Sequence, residues 1–144
     1  MHHSFLEYFA AIGLSLELDR VDIASLVIEP RWREVLTLLS GVIGENADIA
    51  PILRRLLSAS SDPNNIGAKL LLFSMDCALE CEIPSEAARH LIAVEIERSI
   101  RGGEARIDPW IQAEIGQRLG VLFQTCGFGE FESLFARLIR EPDA

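Results

Sequence analysis

Apolar residues return every three or four positions along almost the whole chain of 144 residues. That is the period of an amphipathic helix, and no stretch alternates residue by residue as a half-buried strand does. No Asn-Gly or Asp-Gly pair marks a hairpin either. Phe5, Phe9, Ile12 and Leu16 recur at helical spacing with Tyr8 alongside, and predict a first helix from about Phe5 to Leu18. Ser4 suits its N-cap, and Glu7 three residues on completes a capping box.

Proline and glycine divide the rest of the chain. A short helical turn is expected over Asp22 to Val27, ended by Glu29-Pro30. Pro30 suits the first position of the next helix, where its missing N–H is not needed. That helix carries Trp32, Val35, Leu36, Leu39, Val42 and Ile43 and stops near Gly44. Asn46 is the expected cap of a helix over about Ala47 to Ala59, with Pro51 in its first turn. Ser58 to Asn65 reads as the clearest loop. Further helices are expected over about Ile66 to Cys81, from Pro84 to about Ile100, from Pro109 (capped by Asp108) to before Gly127, and over about Glu130 to Arg140. Seven to eight helices on short connections predict an all-α fold of antiparallel pairs, an α-solenoid or HEAT-like superhelix. A closed bundle is the competing arrangement. The whole chain, residues 1–144, reads as a single helical domain.

Composition narrows the setting. Hydrophobic residues make up 49% of the chain, enough for a sizeable core. No apolar run approaches a membrane span, and Met-His-His-Ser is not a secretory signal. A net charge of -9 argues against binding the nucleic-acid backbone. The three Cys cannot all pair and form no C-x-x-C, which fits a reducing cytoplasm.

Reactive constellations are sparse. There is no phosphate-binding Gly-rich loop, no H-E-x-x-H and no G-x-S-x-G. Cys77 and Cys81 share one helical face. A soft metal there would also need Cys126 or His90, whereas free Cys commonly serves as a small buried hydrophobe. Glu80 and Glu82, or Glu95 and Glu97, offer carboxylate pairs, but such glutamates are ordinarily solvated helix faces. Trp32 and Trp110 each follow a proline and are expected to anchor a helix N-terminus on its neighbour. Phe128, Phe131 and Phe135 form an apolar stripe that either packs on the preceding helix or marks a docking surface.

The opening residues His2-His3-Ser4-Phe5-Leu6-Glu7-Tyr8-Phe9-Ala10-Ala11 resemble the segment F-x-H-x-S/T-F-x-E-Y/F-x-A-A of NACHT/STAND NTPases, the NOD-like receptor class. Glu29-Pro30-Arg31-Trp32-Arg33-Glu34-Val35-Leu36-Thr37-Leu38-Leu39-Ser40-Gly41 is similar to their D-P-R-W-R-E-V-L-L-L-L-A-G helix. Leu70 to Glu80 resembles a later helix more weakly. Ala113 to Gly120 resembles a HEAT-like segment, but Phe123-Gln124-Thr125-Cys126 stands where the family has Gly-Asp-Pro-Arg. In that family the ATPase and winged-helix domains come first. The resemblance implies that residues 1–18 correspond to the end of the winged helix and the start of a helical arm. The motif's leading Phe would precede Met1, so it also implies a chain that starts inside the motif: a fragment, a split subunit or a decayed copy. His2 falls on the family's histidine, whose implied role is contact with the β-phosphate of bound ADP.

The expected function is therefore a non-enzymatic sensor or interaction arm of a NACHT-type signalling NTPase, in a setting such as bacterial defence. No cofactor of its own is expected. Its partners would be proteins, among them an NTPase domain in the same or a neighbouring chain. The candidate interaction residues are Phe5, Tyr8, Phe9, Trp32, Phe128, Phe131 and Phe135. A large exposed apolar patch near the N-terminus would favour the arm, because a winged helix should cover it. The alternative is a stand-alone acidic adaptor or immunity-type protein that masks a basic partner. A small enzyme with an unrecognised site is the third reading.

Overall fold

The computed structural model describes residues 3–44, 47–58, 66–81, 83–101, 108–127 and 129–140. All regular structure among them is helical. Helix α1 spans His3–Leu16 and is followed by a 3-10 turn, Leu18–Arg20. Then come α2 (Ile23–Leu26), α3 (Pro30–Gly44), α4 (Ala50–Ser58), α5 (Ile66–Glu80), α6 (Glu86–Arg101), α7 (Pro109–Cys126) and α8 (Gly129–Arg140).

Most boundaries obey the local chemistry expected of them. Pro30 and Pro109 open α3 and α7, where a missing N–H costs nothing. Gly127 ends α7 at φ 75°, a left-handed conformation that glycine adopts without steric penalty. Ser85 caps α6: its Oγ accepts from the Ala88 N–H at 3.1 Å and donates to Asp48 Oδ1 at 2.6 Å. Asp48 Oδ1 also accepts from the Ala50 N–H at 2.9 Å. One carboxylate thus ties the starts of α4 and α6 together. The expected cap Asn46 lies outside the described residues. Several local expectations need correction: Asp108 precedes α7 but its side chain makes no capping hydrogen bond, and α6 begins at Glu86 rather than at Pro84. Ser4 is not an N-cap, because α1 is already helical at His3. Helix α4 begins at Ala50 rather than near Ala47, because Asp48 supplies its first-turn acceptor.

The helices contact one another in two rows. Helix α1 packs on α3, α3 on α5, and α5 on α7; α2 packs on α4, α4 on α6, and α6 on α8. Helix α5 also touches α4 and α6. Its position explains its sequence: Leu70, Leu71, Leu72, Phe73, Met75, Cys77 and Ala78 are all buried. A helix that is apolar nearly all round needs neighbours on several sides. The rows share a core that includes Ile23, Leu36, Leu39, Leu53, Leu56, Ile92, Leu122 and Phe131.

A tight approach at the edge of that core brings the end of α3 against Cys81, just past α5. A Cβ on Gly44 would stand 2.6 Å from Cys81 Sγ and 3.3 Å from Cys81 Cβ. Gly44→Ala is therefore expected to destabilise the fold by about 1–3 kcal/mol through overpacking, despite alanine's higher helix propensity. Chemical denaturation checks this. Adding Cys81→Ala should recover most of the loss, and a fully stable single variant would refute the packing argument.

Candidate interaction surface

Helix α1 is apolar on two faces, and the fold uses the smaller one. Ala11 and Leu14 are buried and Ala10 is packed against the core. On the helical wheel Phe5, Phe9, Ile12 and Leu16 fall on the opposite side. Phe5 is 62% exposed, Phe9 65% and Leu16 81%. Leu6 and Tyr8 flank this ridge and are also exposed. The spacing that predicts α1 thus marks its solvent face rather than its buried one. Between Phe5 and Leu16 the only charged residue is Glu7. It lies off the ridge, lining a groove with Leu6, Ala10, Arg31, Trp32 and Val35.

The candidate residues at this end belong to one continuous area. Tyr8 stacks edge-on against Phe9, ring centres 6.0 Å apart at 68°. On its other side Tyr8 faces a cleft of about 660 Å³ bordered by Leu38, Gly41, Val42, Gly44, Glu80 and Ile83. Trp32 is half-buried, resting on the core while lining the α1–α3 groove. Leu6 and Leu16 belong to the surface but were not among the residues expected there. Their signal was in the sequence, as apolar side chains at one-turn spacing from Phe9 and Ile12. Single leucines in a helix ordinarily read as core.

Within the C-terminal stripe, the described phenylalanines pack on α7. Phe131 is fully buried, held edge-to-face against Phe123 with ring centres 5.4 Å apart at 72°. Phe135 is partly buried and meets the same ring at 5.6 Å and 67°. Packing on α7 therefore removes Phe131 from the interaction residues. Phe128 and His2 lie outside the described residues. Trp110 also departs from expectation. It is 55% exposed and lines a cleft with Lys69, Asp76, Glu114 and Arg118 instead of anchoring the start of α7 in the core.

The remaining polar candidates are engaged in holding helices. Glu95 is buried and accepts from Arg98 Nη2 at 2.6 Å. Glu97 forms an ion pair with Arg101 at 3.1 Å and accepts from Arg137 of α8 at 2.7 Å. The Arg137 hydrogen bond is the main reason its carboxyl is held below the usual glutamate range. Arg118 forks onto Asp76 of α5 at 2.6 and 3.2 Å and reaches Glu114 at 2.5 Å. Glu82 lies outside the described residues.

Cys77 lies on α5 and Cys81 just past its last residue, and both are buried. Among the described residues no group of three His, Cys, Asp or Glu side chains is placed to hold a metal ion. Burial pushes the Cys77 thiol up to about 12 and the Cys81 thiol up to about 11, because a thiolate is poorly solvated there. Cys126 is partly exposed. Thiol titration at pH 8 is accordingly expected to label one cysteine quickly in the native protein and all three after denaturation. Rapid native labelling of Cys77 or Cys81 would contradict the packing.

None of the described helices is long and apolar enough to cross a membrane. Comparisons with protein-family models, curated proteins and solved structures find no match for the chain.

Proposed function

We propose that this chain is a non-enzymatic helical arm of a NACHT-type switch, an α-solenoid that works by offering surface to other proteins. Two rows of helices, each packing on the next in its own row, support the solenoid reading over a closed bundle. The observation that carries the functional reading is the outer face of α1. It is apolar, aromatic and free of charge, and it lies within the segment that resembles the NACHT proteins. Contiguous apolar surface of this kind marks a protein-docking site. Such a patch near the N-terminus favours the arm over the adaptor. The cytoplasm, where thiols stay reduced, is the compartment this reading implies.

The net charge of -9 favours a second reading, an acidic adaptor bound to a basic protein. Salt separates the two. Affinity capture from the source cells is expected to recover a protein carrying a P-loop NTPase domain, and to retain it in about 0.5 M salt, where exposed charge pairs are screened. Recovery of a basic protein alone, released by that salt, would overturn the arm in favour of the adaptor.

A further inference from the structure

We infer that the occupant of α1's outer face is a second copy of this chain, joined as a two-fold, antiparallel α1–α1 pair. The inference rests on reading that face as a docking surface, and it names the partner.

Three observations carry it. The first is area. With about 200 Å² for a fully exposed large side chain, Phe5, Leu6, Tyr8, Phe9 and Leu16 leave about 600 Å² of apolar surface open. A symmetric pair covering this face on both copies buries up to about 1,200 Å², which reaches the lower bound of stable specific interfaces.

The second is shape. The ridge carries bulky rings at Phe5 and Phe9, and beside it, one turn on from Phe9, Gly13 leaves a gap. A Cβ on Gly13 would meet nothing within 4 Å, so the chain's own packing does not call for glycine there. In an antiparallel pair, Phe9 of each copy falls over the notch at Gly13 of the other, and Phe5 meets Leu16. A face whose Phe9 fits its own gap at Gly13 is self-complementary, as an isologous interface must be.

The third is charge. Two chains of -9 repel, and they dock only through a face that brings no carboxylates together. The α1 ridge meets that condition, with its lone Glu7 turned toward the α1–α3 groove. A domain chosen for opposite charge would have no reason to select this face.

Sedimentation of the full chain over a concentration series tests the pairing. The expected species is a dimer of twice 16.0 kDa. Raising the salt should strengthen it, by screening the mutual repulsion. Gly13→Leu should weaken the pairing by at least about tenfold, by filling the notch at the centre of the interface. Its thermal unfolding as a monomer should be unchanged or raised, because leucine is the better helix former at an exposed site. Phe9→Ser should be monomeric with its helical circular dichroism intact.

A wild-type chain that stays monomeric at the highest concentration overturns the pairing. So does a dimer that survives both substitutions. A monomeric chain whose α1 instead binds an NTPase domain refutes the second copy but leaves the docking surface standing. A dimer that captures no NTPase leaves the pairing standing and removes the switch.

Discussion

Phe131→Ala is expected to lower the unfolding free energy by about 3–5 kcal/mol, the usual cost of emptying an aromatic site in a core. The ring is fully buried, in edge contact with Phe123. Its removal takes away apolar burial and leaves a cavity where α8 meets the rest of the core. For a domain of this size the midpoint of thermal unfolding should fall by about 10 °C. Against a typical total stability of about 5–15 kcal/mol, such a loss is large. Phe135→Ala, one turn along the same helix and only partly buried, should cost less than half as much. Equal effects from the two substitutions, measured by urea denaturation, would mean that α8 does not turn Phe131 inward.

The second large effect is expected at Arg55. This α4 side chain donates from Nη1 to the Leu18 carbonyl at 2.7 Å and from Nη2 to the Val21 carbonyl. It thereby fastens the connection between α1 and α2 from more than thirty residues away. Charge-assisted hydrogen bonds of this kind each contribute about 1.5–3 kcal/mol when partly shielded from water. Arg55→Met keeps the apolar stem and removes both donors, so a loss of about 2–4 kcal/mol is expected. Arg55→Lys should restore only part of it, since an ammonium cannot span two carbonyls as the planar guanidinium does. Hydrogen exchange gives the sharper reading. Residues 17–27 should lose protection before the α5 core does. Uniform loss across the chain would show that Arg55 acts on the core as a whole instead of holding this connection.

Arg55 also shows where sequence reading stops. Nothing local to α4 announces that its guanidinium serves carbonyls near the start of the chain. Asp48 and Arg118 are similar: one joins the starts of α4 and α6, and the other joins α7 to α5. Each bond depends on which helices become neighbours. By contrast, the starts of α3 and α7 and the end of α7 were legible, because the conformational limits of proline and glycine act within a few residues. The capping box at Ser4 failed because the helix starts two residues further back, at His3, which no short motif encodes.

The candidate surface was half legible. Phe5, Tyr8 and Phe9 could be named as interaction residues, and they do stand open to solvent. Phe131 came from the same kind of evidence, an aromatic at helical spacing, and it is core. Spacing alone does not separate the two outcomes. An apolar stripe records only that a face avoids water, not whether the chain itself or another molecule covers it.

The amino-acid sequence by itself determined the helical class, the approximate extent of most helices and the lack of a recognisable catalytic motif. These arise from short-range periodicity, backbone restrictions and residue chemistry. Tertiary structure decided which face of each helix turns inward. Helix α1 offers apolar residues on two sides, and burial of either satisfies its pattern. Ala10 and Ala11 bring α1 close against α3, and the larger residues are left outside, because close packing at a helix crossing favours small side chains at the contact.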